Sequence, residues 1–324
     1  MRRHISLIAL LVLIALSASA STDDVVRKGF NVTAGGRLTL EAGFGDVRIV
    51  TGGTGVAIEV VRRARTNDRE DAAEIFRDHE ISFDQNGNDV IVKARYDRDN
   101  HWFHWDNGLS VQWNIRVPAK YSVDVHTSGG DVKLTDVSGE VEVRTSGGDI
   151  DAGRVSGPTN LRTSGGDIAI DSASGNVTAH TSGGGITIGD TTGWVEAKTS
   201  GGSIHLARVS GDVTARTSGG GIKIEEAMGR VDASTSGGSI TARFGKQPGG
   251  DSRLSTSGGG VMVYLAPNVA ADLDARASGG GVHSDIPITV MGTQDHDSLE
   301  GKINGGGPRL VLRTSGGGIT VTRM

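Results

Sequence analysis

The motif Thr-Ser-Gly-Gly begins at Thr127, Thr145, Thr163, Thr181, Thr199, Thr217 and Thr235, and every step is 18 residues. It returns at Thr256 and Thr314, with a variant at Ala277-Ser278-Gly279-Gly280. Self-similarity at a short fixed period points to a solenoid, in which no repeat buries its own apolar face and stacking buries them all. The unit halves again. Apolar residues stand nine apart at Val132, Val141, Ile150, Ile168, Val177, Ile186, Val195, Ile204, Val213, Ile222, Val231 and Ile240, with Thr159 in the one vacancy. Two residues after each comes a second, such as Leu134, Val143, Ile170, Ala179 and Ile188. Local period 2 in β-branched residues is strand patterning. One coil therefore reads as two short strands, each pointing two side chains inward, joined by two turns. One turn is Thr-Ser-Gly-Gly; the other is x-Ser-Gly, as at Ser138-Gly139 and Ser156-Gly157. Gly at such corners supplies positive φ and close backbone approach.

The period reaches beyond this array. Leu38, Val47 and Val56 are nine apart, followed two residues on by Leu40, Ile49 and Ile58, and Leu310 and Ile319 are nine apart near the end. The solenoid thus starts near residue 38 and is interrupted. Asn67 to His79 has acidic residues early and apolar residues at helical spacing, which predicts one helix near 68–79 capped by Asn67 or Asp68. Ile81-Ser82-Phe83 and Val90-Ile91-Val92 flank Asn86-Gly87, a hairpin signal. Val111, Trp113, Ile115 and Val117 alternate up to Pro118. This stretch reads as a cap or flank covering a sheet edge that would otherwise template aggregation. After Arg243 the spacing grows, Pro248, Pro267, Pro287 and Pro308 enter, and 285–303 reads as a loop or lid. The expected division is a signal peptide (1–20), a β-rich start and cap (21–125), the regular array (126–243) and irregular C-terminal coils (244–324). The fold class is all-β: a parallel β-solenoid of 18-residue coils, each of two nine-residue strand-turn halves, with a β-rich N-terminal insertion holding one short helix.

Gly supplies 51 of 324 residues, roughly twice the usual share, but the 6 Pro exclude collagen. Hydrophobic residues make up 36%, which suits disorder, yet regularly placed Val, Ile and Thr oppose it. Basic Met1-Arg2-Arg3-His4, the apolar run from Ile5 to Leu16 and Ala18-Ser19-Ala20 form a secretory signal pattern. Export to the periplasm, cell surface or medium is expected, with no transmembrane span in the mature chain. There is no Cys, so disulfides, Cys-ligated metals and a Cys-linked lipid anchor are excluded. A net charge of −5 gives no global pull toward nucleic acid, and no nucleic-acid partner is expected.

Catalytic patterns are missing: the chain has no HExxH, no GxSxG and no phosphate-binding P-loop. The Thr-Ser-Gly-Gly serines lack a matched His/Asp set. No catalytic residue, cofactor or metal is expected. Calcium-binding β-rolls place Asp in every coil, whereas the equivalent position here is Asp131, Asp149 and Asp167, then Gly185, Ser203, Gly221 and Ser239. The three Asp read as solvated turn residues. His101-Trp102-Phe103-His104-Trp105 is open between packing against the cap, a glycan or partner contact, and a metal site. Trp194 reads as a lone surface aromatic at a turn or a contact point.

Just before the turns stand His126, Arg144, Arg162, His180, Lys198 and Arg216. Stacked at strand spacing they form a basic ladder about 25 Å long. It breaks at Ser234 and Ser255, so its footprint ends near the seventh coil. Two readings stand. The ladder is a solvated edge whose charge is offset by Asp131, Asp149 and Asp167, or it is a weak polyanion site.

Gly45-Asp46-Val47, the acidic helix Glu70–Phe76, Val117-Pro118, the Thr-Ser-Gly-Gly array, and Ile303-Asn304-Gly305-Gly306-Gly307-Pro308 through Thr314-Ser315-Gly316 together resemble the DUF4097 family of adhesin-like bacterial β-solenoid domains. The resemblance implies a β-solenoid with no established catalytic residues. The functional expectation is a non-enzymatic exported β-solenoid with an adhesin-like, binding or envelope-structural role. Its partner is unknown, with envelope polysaccharide or another protein as candidates. The alternative is a scaffold that self-associates end to end, and behind it a carbohydrate-active β-helix enzyme, for which no carboxylate set stands out.

Overall fold

Each 18-residue repeat contributes one strand to each of two facing sheets. The computed structural model describes residues 22–96, 108–290 and 295–324. The signal-peptide reading of 1–20 and the aromatic run 101–105 lie outside the described residues. Strands before the Thr-Ser-Gly-Gly turns, such as Val141–Arg144, Thr159–Arg162 and Val177–His180, stack in parallel as sheet II. Strands after them, such as Ile150–Val155, Ile168–Ala173 and Ile186–Thr191, stack as sheet I. Register is uniform: Val141 faces Thr159 and then Val177, and Ile150 faces Ile168 and then Ile186. Every residue lies beside its equivalent one repeat on, so the core is a set of straight columns.

Three side chains per strand point inward, not two. Val141, Val143 and Thr145 do so in sheet II, and Ile150, Ala152 and Val155 in sheet I. Val137, Ala173, Thr191, Val209 and Ala227 share the position of Val155. It follows the second inward residue by three, which hides it from a period-2 reading. The turn threonines are buried too. Thr163, Thr181, Thr199 and Thr217 donate Oγ1–H to the carbonyls of Gly148, Gly166, Gly184 and Gly202 in the preceding coil, at 2.7 to 2.8 Å. Threonine suits the place because its methyl joins the core while its hydroxyl satisfies a carbonyl, a bond contributing about 1 kcal/mol.

Of the two needs expected of the turn glycines, close backbone approach is the one the structure shows. Among the described Thr-Ser-Gly-Gly glycines only Gly130 has positive φ, at 98°. A Cβ on Gly148, Gly166 or Gly184 would overlap the carbonyl oxygen of Gly130, Gly148 or Gly166. Coil-to-coil approach, rather than left-handed backbone, excludes a side chain there. The turn aspartates, of which Asp149 and Asp167 are exposed, also make bonds between coils. Asp131, Asp149 and Asp167 accept the N–H of Asp149, Asp167 and Gly185 one coil on, at 3.0, 2.8 and 2.7 Å. Ser203 and Ser239 take over for Gly221 and Gly260, each at 3.2 Å. These side chains tie coil to coil.

At the two ends, chain order and spatial order part. Arg37–Gly43 and Asp46–Thr51 form a coil parallel to Ser122–Thr127 and Val132–Leu134. Asp89–Tyr96 and Leu109–Val117 lie parallel on its other side. Val56 opens no further coil: Val56–Ala64 runs antiparallel to Leu109–Val117 and to Asp23–Phe30, widening sheet I. His79–Asn86 widens sheet II antiparallel to Asp89–Tyr96. Between these widenings lies the helix Arg69–Asp78, with Asp68 as its cap, accepting from the N–H groups of Glu70 and Asp71. At the other end, Arg309–Thr314 and Ile319–Arg323 sit between the coil of Ser252–Thr256 and Val261–Leu265 and the coil of Ala271–Ala277 and Val282–Ser284. The stretch 285–303 is not simply a loop. Ile288–Val290 and Ser298–Ile303 pair antiparallel, the latter also pairs with Ala271–Ala277, and Ile288–Val290 is the edge strand of sheet II. Gly301 stands between the buried Leu299 and Ile303, which conceals the alternation. Among the described residues, sheet I has 14 strands and sheet II has 15.

Candidate functional site

Residues between the inward positions of sheet II face outward. The parallel register therefore carries His126, Arg144, Arg162, His180, Lys198 and Arg216 into one row. The row crosses the outer face of the sheet and spans five strand steps, about 24 Å. A second row stands two residues earlier: Asp124, Glu142, Asn160, Thr178, Glu196, Thr214 and Asp232.

The two rows largely neutralise each other. His126 Nε2 lies 3.1 Å from Asp124, and Arg144 pairs with Glu142. Lys198 pairs with Glu196, which His180 Nε2 also approaches at 3.3 Å. Arg216 pairs with Asp232 at 2.7 Å. Arg162 instead donates to the neutral Asn160 Oδ1 at 3.1 Å. The charge offset thus comes from this neighbouring row, and among the described residues no ion pair joins the row to Asp131, Asp149 or Asp167. Burial, then the charge of Arg162, holds the His180 imidazole below its ordinary pKa. The Lys198 hydrogen bond keeps Glu196 ionised below the usual carboxylate range.

Nor does the row stop at the two serines. Ser234 faces Ser255, Ser255 faces Arg313, and Arg313 faces Arg276. The sequence carried a signal for both arginines, since each precedes a Thr-Ser-Gly-Gly-type turn, at Thr314 and Ala277. Their neighbourhood had no such signal, because the last coil is inserted out of order. Here Asp274 is only 4% exposed. Its Oδ2 accepts from Arg313 Nη2 at 2.6 Å and from Arg309 Nη2 at 3.0 Å, while Arg276 Nε stands 3.5 Å from Oδ1. Burial pushes the Asp274 carboxyl up, but the Arg313 hydrogen bond and the charges of Arg313, Arg276 and Arg309 outweigh it and hold it below its usual value.

Trp194 is 43% exposed, and its backbone N–H donates to Asn176 Oδ1 at 3.2 Å. The second residue of every turn, Ser128 through Ser236 in the array and then Ser257, Ser315 and Ser278, is exposed. Among the described residues no three His, Asp or Glu side chains converge as a metal site, and no helix is long and apolar enough to cross a membrane.

Several solved structures are similar at low identity. One named "putative adhesin", from Parabacteroides merdae ATCC 43184, shares 15% identity at a TM-score of 0.41, over 74% of this chain and 95% of that one. Another of that name, from Bacteroides fragilis NCTC 9343, shares 12% at 0.36, over 93% and 97%. A "putative lipid binding protein" from Parabacteroides distasonis ATCC 8503 shares 8% at 0.34, over 93% and 96%. Likeness this shallow carries no weight for fold or function. No curated protein matches the chain. A family model described as Toastrack DUF4097 matches residues 36–244, from the first coil to the end of the regular array. With more than half its length matched, the chain belongs to the Toastrack DUF4097 family.

Proposed function

We propose that this is a non-enzymatic, exported, adhesin-like protein of the bacterial envelope, and that the outer face of sheet II takes a linear acidic polysaccharide. The observation that supports this most is the in-register row from His126 to Arg216. A polymer lying along the solenoid axis meets an equivalent position at every coil. Each exposed contact contributes a few tenths to about 1 kcal/mol, and several on one chain add by effective concentration. The adjoining carboxylates keep single contacts weak, so binding depends on polymer length and fades with salt. End-to-end self-association is less favoured, because the outermost strand of sheet I carries Asp23, Asp24, Arg27 and Lys28, charges that oppose edge pairing.

The test is binding of the mature protein to polygalacturonate at low and high ionic strength. Parent protein binds and loses affinity with salt, and the Arg144→Gln, Arg162→Gln, Lys198→Gln, Arg216→Gln quadruple variant binds about tenfold more weakly or worse. Equal binding by the variant, or indifference to salt, overturns the reading of the face. Cleavage of the polymer that a single substitution abolishes overturns the non-enzymatic part.

A further inference from the structure

We propose that Arg276, Arg309 and Arg313, gathered around Asp274 at the C-terminal end of sheet II, form the anchor for an acidic group of the polysaccharide on this face. The proposal rests on the reading of that face as a polysaccharide surface and gives it a principal contact.

Charge balance separates this cluster from the rest of the row. In the array, Arg144, Lys198 and Arg216 each face a carboxylate that an incoming anion would have to displace. At the cluster three guanidiniums share one carboxylate. Glu300, opposite Asp274 on the neighbouring strand, takes back one charge. Exposed Arg253, opposite Val311, restores it, and Asp251, whose Oδ1 accepts the Arg309 N–H at 2.8 Å, takes one back, while Asp272 is occupied by Lys302 at 3.2 Å. A surplus of one positive charge remains, where the array has almost none.

The geometry suits an oxyanion. Asp274 is buried and fixes Arg313, whose Nη1 also donates to the carbonyls of Asp274 and Leu312 at 2.6 and 2.9 Å. Arg276 and Arg309 have side chains 61% and 59% exposed. Arg276 comes nearest to Asp274 through Nε, which leaves its Nη groups for an incoming anion. A guanidinium has five N–H donors in a planar fork, and a carboxylate or sulfate accepts two of them side by side. Arg313 and Arg276 also lie on the line of the basic row, three and four strands beyond Arg216. A polymer following that row crosses Ser234 and Ser255 over about 14 Å and reaches the cluster. The cluster exists only because the last coil is inserted: Arg309 and Arg313 come from it, Asp274 and Arg276 from the coil outside it.

The experiment measures affinities of the full mature chain at low salt for oligogalacturonate, dextran sulfate and uncharged dextran. The proteins are the parent, Arg276→Gln with Arg309→Gln, Arg276→Lys with Arg309→Lys, and the quadruple row variant. Arg313 is left in place so that Asp274 keeps a partner. The expected result is a loss of about tenfold in the glutamine pair, partial recovery in the lysine pair, and unchanged thermal stability. The acidic polymer showing the larger loss identifies carboxylate or sulfate as the anchored group. If the glutamine pair binds like the parent while the row variant weakens, the anchor is wrong and the reading of the face stands. If neither acidic polymer binds the parent, or dextran binds equally, both fall. If the glutamine pair is destabilised, the stable lysine pair decides: parent-like affinity for both acidic polymers overturns bidentate anchoring.

Discussion

Over the first three residues of each array strand inward and outward positions alternate, so adjacent residues there respond oppositely to the same change. Ile186 is 1% exposed and stacks between Ile168 and Ile204, whereas Thr187 faces solvent. Ile186→Asp puts an unpaired charge into an interior with no polar partner, and a loss of about 3–5 kcal/mol is expected. Thr187→Asp changes stability by less than about 0.5 kcal/mol. Chemical denaturation of the two variants checks this, and equal effects would mean that the register is off by one. A second residue-scale outcome concerns His79. It is 2% exposed, packs against Phe44 and Trp113 with ring centroids 5.5 and 6.4 Å away, and neither ring nitrogen has a hydrogen-bond partner among the described residues. Burial, then the charge of Arg62, lowers its pKa from 6.5 to about 4. Below pH 6.5 the unfolded chain takes up a proton that the folded chain refuses. Stability therefore falls as pH drops from 6.5 to 4, by up to about 3 kcal/mol. His79→Phe is expected to flatten the melting temperature over that window; an unchanged slope would show that other groups carry it.

For whole strands, the end coils differ from the array in what holds them. An array strand such as Val177–His180 lies between strands of the repeats before and after it in sequence. Ser252–Thr256 and Ala271–Ala277 both take Arg309–Thr314 as a parallel neighbour, and Val261–Leu265 and Val282–Ser284 both take Ile319–Arg323. Ending the chain after Ile303 removes the shared neighbour from both coils at once. Because solenoid stability is carried by nearest-neighbour interfaces, the loss stays local. Amide hydrogen exchange is expected to accelerate over 252–290 and to be unchanged over 141–216. Acceleration across the whole array would mean that the coils fold as one cooperative unit.

Across the whole molecule, the sequence by itself determined the coil. Ile150, Ile168 and Ile186 repeat at 18 residues because each stacks on the last, and their alternation with outward residues is a local property that nine residues suffice to display. The same locality made the helix after Asp68 and the turn at Gly87 legible, since a cap and a hairpin are written within a few residues. The third inward position at Val155 was not, because it departs from the alternation, and Thr163, which keeps the alternation, was read only as part of the turn motif. The basic row could be read as a row, since one period places Arg144 beside Arg162. Its neutralisation by Glu142, Glu196 and Asp232 was equally within the pattern, but became an ion-pair network only once side chains shared a face. The order of the coils at each end was decided by the tertiary structure alone. Leu310, Leu312 and Thr314 carry the same inward pattern as Ser252, Leu254 and Thr256, so parallel pairing by pattern fits many neighbours equally. What selects one is long-range: the antiparallel strand Ser298–Ile303 occupies the outer edge of Ala271–Ala277, leaving its inner edge for Arg309–Thr314. That choice brings Arg309 and Arg313 to Asp274, a meeting across 35 and 39 residues that no local period encodes.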